Sequence, residues 1–344
     1  MPEGRLILDS SRHAGEALAR GHVLAASTTA ERPVVLYAAP LELSAVVLGA
    51  YQHAGHALRR EALDALALPV LRRRTGGSAV WAGDGLLYLA LGLHDASALM
   101  ACPPGKILNR NVRGLLAGAR SLGVPTHYFG RDFVSFATDP GAYIAWDEAG
   151  DGRVLIEAFV ALETSFSMPA PLRGYPAGRE PPLRGKTPTT LRNAGATQPP
   201  DQVLAALADG YGRGFAVAFS PDPPNAAELS AIAALRPQLA LEVAADAGLC
   251  WAAPLEEAIG FISAGARLDA AGRFAELALG GDLLQHRDCP AQLRAALIGR
   301  EPEPERIGAA LDQVYAARPG LIEGVRTLGT LRAALLDAAG CARA

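Results

Sequence analysis

The segment Arg72-Arg73-Arg74-Thr75-Gly76-Gly77-Ser78-Ala79-Val80 constrains this chain more than any other. It lies between two apolar runs, Ala67-Leu68-Pro69-Val70-Leu71 and Leu86-Leu87-Tyr88-Leu89-Ala90-Leu91, each of which reads as a strand. Three guanidiniums therefore flank a turn of small residues between strands. Glycine permits positive φ and lets another group approach the backbone closely. Backbone N–H groups in such a turn, backed by arginine, form a nest suited to phosphate or carboxylate. The plainer alternative is a solvated charged turn.

The surrounding pattern is strand-rich with a few helices. Residues 9–26, 59–68 and 106–122 read as helices, the last an amphipathic one ended by Gly123. Pro33–Tyr37, Ala45–Gly49, two short runs within Val124–Val134, Ala142–Trp146 and Val154–Leu162 read as strands. Strands and helices do not alternate regularly, so the expected class is α+β with a mixed sheet, not a doubly wound sheet. From Met168 to Pro200 the chain is heavy in proline, glycine and arginine, which predicts a boundary between domains at 1–195 and 196–344. Beyond it come helices at 202–211 and 229–236, then two strands around the turn Asp269–Gly272. Helices at 291–298 and 303–317 follow.

A length of 344 residues suits two domains, and 50% hydrophobic with 19% charged residues suits packed cores. The net charge of −3 removes the electrostatic case for nucleic acid. No apolar run is long enough to span a membrane, and the first residues lack a basic region followed by an apolar core. The four cysteines, Cys102, Cys250, Cys289 and Cys341, show neither zinc spacing nor a disulfide framework. A soluble, cytoplasmic protein is the expectation. Lys106 and Lys186 are the only lysines, so any mechanism that needs one has two candidates.

In this setting the arginine–glycine segment resembles the Arg-Arg-x-Ser-Gly-Gly-Gly-Ala-Val signature of the lipoate–protein ligases, with Thr75 for its serine and Ser78 for its third glycine. Gly130-Arg131-Asp132 resembles the next landmark, Gly-Arg-Asn-Asp, without the asparagine. Gly49-Ala50-Tyr51-Gln52 is similar to the family's glycine-to-glutamine strand end. Lys186-Thr187-Pro188-Thr189-Thr190-Leu191 sits where the family has a basic crossing segment. Gly260-Phe261-Ile262, Asp269–Gly272 and Gly280-Gly281-Asp282 are similar to its accessory domain.

The resemblance implies a biotin/lipoate ligase-like domain followed by a smaller accessory domain. It also implies a chemistry: lipoate or octanoate is activated by ATP, with Mg2+, to an acyl-adenylate. The acyl group then passes to a lysine of a lipoyl-carrier domain, in an oxidative complex or a glycine-cleavage-type carrier protein. Arg73, Arg74, Thr75, Gly76, Gly77, Ser78, Ala79, Val80 and Trp81 would enclose the adenylate, with Arg131, Asp132 and Lys186 beside it. The family also carries a lysine, in a Gly-x-Lys-Ile/Val-x-Gly strand, that polarises carboxylate and phosphate. Adenylation brings two anions together, so a cation there lowers the barrier. Here the matching strand is Pro140–Trp146; Ala142 is expected at the lysine position, and no lysine lies between Lys106 and Lys186. The histidine-bearing residues after the glycine motif are replaced by Trp81-Ala82-Gly83-Asp84. The reaction is therefore open among a ligase, a binding or scaffold protein that kept the pocket, and an octanoyltransferase using an acyl-carrier donor.

Other candidates have ordinary readings beside the chemical ones. Cys102, with His94 or His127 as base, could accept an acyl group, but free cysteine usually packs as a small hydrophobe. His53 and His56 have metal spacing but no evident third ligand. Asp84 reads as a turn residue or a cation contact, and Lys186 as a phosphate contact or an exposed loop lysine.

Overall fold

The computed structural model describes residues 3–174, 182–241 and 248–344. Part of the proline-rich stretch, residues 175–181, lies outside the described residues. In chain order the first part comprises β1 (Glu3–Leu8), β2 (Arg12–His13), α1 (Ala14–Ala26), β3 (Val34–Glu42), β4 (Ala45–Leu48), α2 (Ala54–Ala57) and α3 (Arg60–Leu66). Then come β5 (Val70–Arg72), β6 (Val80–Ala82), β7 (Leu86–Leu93), α4 (Ile107–Asn111), α5 (Arg113–Ser121), β8 (Thr126–Tyr128), β9 (Phe133–Phe136), β10 (Asp139–Glu148) and β11 (Val154–Ala161). The helix expected from residue 9 starts at Ala14, and the one expected over 106–122 divides at Val112.

The next elements are α6 (Pro200–Phe215), β12 (Ala218–Pro221) and α7 (Ala226–Leu235). The large sheet runs β12-β1-β3-β7-β11-β10-β9-β8, with β2 also paired to β3. β1 is parallel to β12 and β3, whereas β3, β7, β11, β10, β9 and β8 pair antiparallel in turn. This is the mixed sheet expected. Its central strands are apolar on both faces because helices and loops cover both; every residue of β7 and β11 is buried. A small sheet, β5-β4-β6, stands beside it and carries the glycine turn between β5 and β6.

The division between cores does not fall at residue 195. α6 packs on α5 so closely that a Cβ at Gly210 would overlap the backbone of Gly118, and β12 joins the large sheet as its edge. Val203, Leu207, Tyr211, Val217, Ile232 and Leu239 belong to the first core, while the second begins at Ala252. A helical period shows that a segment has an apolar face, not which core receives it.

The second unit comprises β13 (Cys250–Trp251), β14 (Leu255–Glu256), β15 (Phe261–Leu268), β16 (Phe274–Gly281), β17 (Leu284–Gln285), α8 (Cys289–Leu297), α9 (Pro304–Tyr315), β18 (Ile322–Glu323) and α10 (Leu328–Arg343). The antiparallel pair β15–β16 carries the three helices. Cys250 and Cys341 form a disulfide with Cα atoms 5.8 Å apart, tying β13 to α10. This corrects the reading of four unpaired thiols: the partners are 91 residues apart, so no spacing pattern betrays them. Cys102 and Cys289 are free. Among the described residues, no helix is long and apolar enough to cross a membrane.

Candidate functional site

The glycine turn is held from within by Arg73, whose side chain is 1% exposed. Its guanidinium donates to the carbonyls of Val47 (3.2 Å), Gly76 (2.6 Å) and Ser78 (2.8 Å), to Thr75 Oγ1 (3.0 Å) and to the Tyr143 hydroxyl (3.3 Å). Nearly all its donors serve the turn and its neighbouring strand, so Arg73 shapes the loop instead of presenting charge to a ligand. Below it lies Glu157 of β11, fully buried. Thr75 donates a short hydrogen bond to it, the Tyr88 hydroxyl donates at 2.6 Å, and His22 Nε2 lies 3.2 Å away. Burial pushes the Glu157 carboxyl up, but His22, Arg73 and the Thr75 bond outweigh burial and bring it down to about 2.

The turn's amides are also engaged. Gly77, at φ 85°, donates its N–H to the Leu283 carbonyl of the second unit at 2.9 Å. The Ser78 N–H donates to the Tyr143 hydroxyl at 2.8 Å. Two donors of the expected anion nest are thus taken by protein groups. Between the turn, β10 and the second unit remains a cavity of about 30 Å3, lined by Ser78, Ala79, Asp132, Tyr143, Phe166 and Ile259, among others. Burial raises the Asp132 carboxyl to about 7, Arg131 offsets it in part and Asp282 adds to it, and Oδ1 has no partner among the described residues. Burial likewise raises the Tyr143 phenol far above its ordinary value, which keeps it neutral.

Tyr143 corrects the expectation for Ala142. Successive side chains of a strand point to opposite faces, so one residue of register decides which one meets the turn. Ala142 is fully buried in the first core, while Tyr143 reaches the turn and the cavity. Counting Gly-x-Lys from Gly141 also places Tyr143 at the lysine position. The departure from the implied pattern is therefore a neutral phenol in place of an ammonium.

The remaining predicted residues are dispersed. Arg72 donates to the carbonyls of Gly49, Ala50 and Gln52 and braces the strand end. Arg74 lines a different cavity, away from Tyr143. Val80 is buried in the first core, and Trp81 packs with Val70 and Ala79 on a small third cluster. Arg131 lies over the Phe133 ring and donates to the Ala258 carbonyl of the second unit at 2.9 Å. Exposed Lys186 donates to the Thr138 carbonyl at 3.0 Å and lies over Phe129. Asp84 accepts from the Leu43 N–H, a turn role. His53 stacks on Trp251 and meets His56 edge-on. Among the described residues no group of three His, Cys, Asp or Glu is placed to hold a metal ion. Burial raises the Cys102 thiol, which disfavours a thiolate there.

Sequence reasoning misses Glu157, His22, Tyr143 and the clamp between units, in which Gln52 Nε2 donates to Asp282 Oδ1 at 2.5 Å. The count from Gly141 is one signal, for Tyr143, and the strand composition is another, for Glu157. A single carboxylate inside the otherwise apolar run Val154–Ala161 must find buried partners.

No family model matches the chain. Octanoyltransferase LipM of Exiguobacterium sp. is 37% identical over 87 residues, which are 24% of this chain and 30% of that protein. The chain thus matches under a third of that relative's length. Among solved structures, P. falciparum LipL1 in complex with lipoate aligns with a TM-score of 0.71 at 11% identity, over 97% of this chain and 99% of that one. The bipartite lipoate–protein ligase of Thermoplasma acidophilum, from a study that includes its E2 lipoyl domain, gives 0.59 at 19% identity over 69% and 93%. A lipoate–protein ligase A bound with ATP gives 0.56 at 18% identity over 69% and 95%. The chain has the fold of the lipoate–protein ligases.

Proposed function

We propose that this chain binds a medium-chain acyl ligand, lipoate or octanoate, beneath the glycine turn, and that it does not form the acyl-adenylate from ATP. The first half rests on the shared fold, on a similar structure solved with lipoate and on the local match to an octanoyltransferase. The second half rests on one observation: the Tyr143 hydroxyl accepts the Ser78 N–H where the implied lysine would stand. A phenol can hydrogen-bond but brings no charge to a carboxylate meeting a phosphate. Removing one preorganised stabilising group of this kind costs about 3 kcal/mol, or roughly two to three powers of ten in rate.

The phosphates of ATP do not suit the residues in this arrangement. The Gly77 and Ser78 amides are engaged, and Asp132 beside them bears negative charge above its value of about 7. An eight-carbon chain needs more room than about 30 Å3, so Ile259 and Leu183 must withdraw when the acid enters. In this role the partner is a lipoyl-carrier domain of an oxidative complex or a glycine-cleavage-type carrier protein.

Calorimetric titration with octanoate and with lipoate tests the binding claim. Saturable binding is expected, weakened at least tenfold in Ala79→Trp, which fills the cavity. Absence of binding by either acid, or equal affinity in the variant, would overturn it. The local likeness to LipM favours a second reading, acyl transfer without ATP from an octanoyl carrier protein. Transfer that is lost in Cys102→Ala would establish that reading in place of simple binding.

A further inference from the structure

A second cavity, of about 80 Å3, opens where the end of α1, the β10–β11 hairpin and the second unit meet. Arg74, Arg153, Arg287 and His22 all line it. Two of these cations already have partners. Arg153 pairs with Asp151 at 3.1 Å, itself in the cavity wall, and Arg287 Nε donates to Asp147 Oδ2 at 2.9 Å. Arg74 is an exposed residue whose guanidinium makes no hydrogen bond or ion pair among the described residues; partial desolvation and Arg287 lower its pKa, and Asp147 and Glu157 offset this in part. His22 is 1% exposed; Nε2 meets Glu157, while Nδ1 is buried with no partner among the described residues.

An exposed guanidinium with no direct partner among the described residues, a second one beside it, and an orphaned imidazole nitrogen thus meet at one space. The buried His22 nitrogen is costly until something pairs with it, whereas the guanidiniums reach solvent and can receive an anion from it. A guanidinium fork matches the oxygens of carboxylate or phosphate. The room equals the liquid share of two to three waters at about 30 Å3 each, enough for an oxyanion head and too little for a nucleoside.

We propose that the cavity framed by Arg74, Arg153, Arg287 and His22 binds a small oxyanion, a phosphate or a carboxylate, at a site separate from the cavity beneath the glycine turn. Through His22 the occupant adjoins Glu157, and through Glu157 the Thr75 end of that turn.

The test is calorimetric titration of the intact protein with inorganic phosphate and, separately, octanoate, each compared with chloride at matched ionic strength. Saturable one-to-one binding of at least one anion is expected, weakened tenfold or more in Arg74→Gln. Since Arg74 has no partner to lose, the variant should melt like the parent, and circular dichroism verifies this. Phosphate binding alone identifies a phosphate site. Octanoate binding that survives Ala79→Trp yet falls in Arg74→Gln identifies a carboxylate site, and separates this result from binding beneath the turn. Titrations indistinguishable from chloride, or Arg74→Gln binding as the parent does, would overturn the proposal.

Discussion

Asp132 and Glu157 are both buried carboxyls near Arg73, yet they titrate in opposite senses. Glu157 has Thr75, Tyr88 and His22 around it, and Asp132 has an oxygen without a partner among the described residues. The unfolded Asp132 carboxyl ionises near 3.8 and the folded one near 7, so folding favours its protonated form. Its contribution therefore falls as pH rises from about 4 to 7 and is level above that. Glu157, brought down to about 2 from 4.5, contributes fully above about 4.5, and that contribution is lost as pH falls toward 2. In urea melts, Asp132→Asn should be more stable than the parent by about 4 kcal/mol at pH 8 and nearly equal to it at pH 4. Equal stability of the two proteins at pH 8 would show that Asp132 is solvated. The sequence offers Asp132 as a site residue but not its protonation, because burial sets that.

At the scale of elements, the glycine turn is a loop with a buried interior: Arg73 fills it and Glu157 anchors it. Glu157→Gln removes the charge facing Arg73 and His22 and should cost about 3 kcal/mol in the denaturation midpoint free energy. A loss below about 0.5 kcal/mol would mean that the network is not coupled to folding. Most strands of the first unit are legible in the sequence because β7, the Ala142–Trp146 part of β10 and, Glu157 apart, β11 are apolar runs. Their partners are not, since pairing order depends on the whole sheet. Periodicity cannot separate Ala142 from Tyr143, because a run buried on both faces carries no alternation to fix its register, although counting Gly-x-Lys from Gly141 does separate them. Glycine in the turn is legible as a close approach, but the group that approaches, the Leu283 carbonyl, comes from over two hundred residues away.

For the whole molecule, the two cores meet at the site. Gln52 and Asp282, Arg131 and Ala258, Gly77 and Leu283 join the units around the small cavity. The second unit is further tied by Cys250–Cys341. Closing a loop of 91 residues restricts the unfolded chain, worth roughly 4 kcal/mol on entropic grounds. Reductant should therefore lower the melting temperature of the second unit, and alkylation of denatured, unreduced protein should label two thiols. Four labelled thiols would contradict the bond. In the proposed function the fold keeps a place for an acyl group, and Tyr143 brings no charge to activate it. ATP–pyrophosphate exchange with lipoate and with octanoate, at saturating ATP and Mg2+, tests this most directly. Exchange no greater than in the absence of acid is expected; exchange rising with either acid in the unmodified protein would overturn the proposed function.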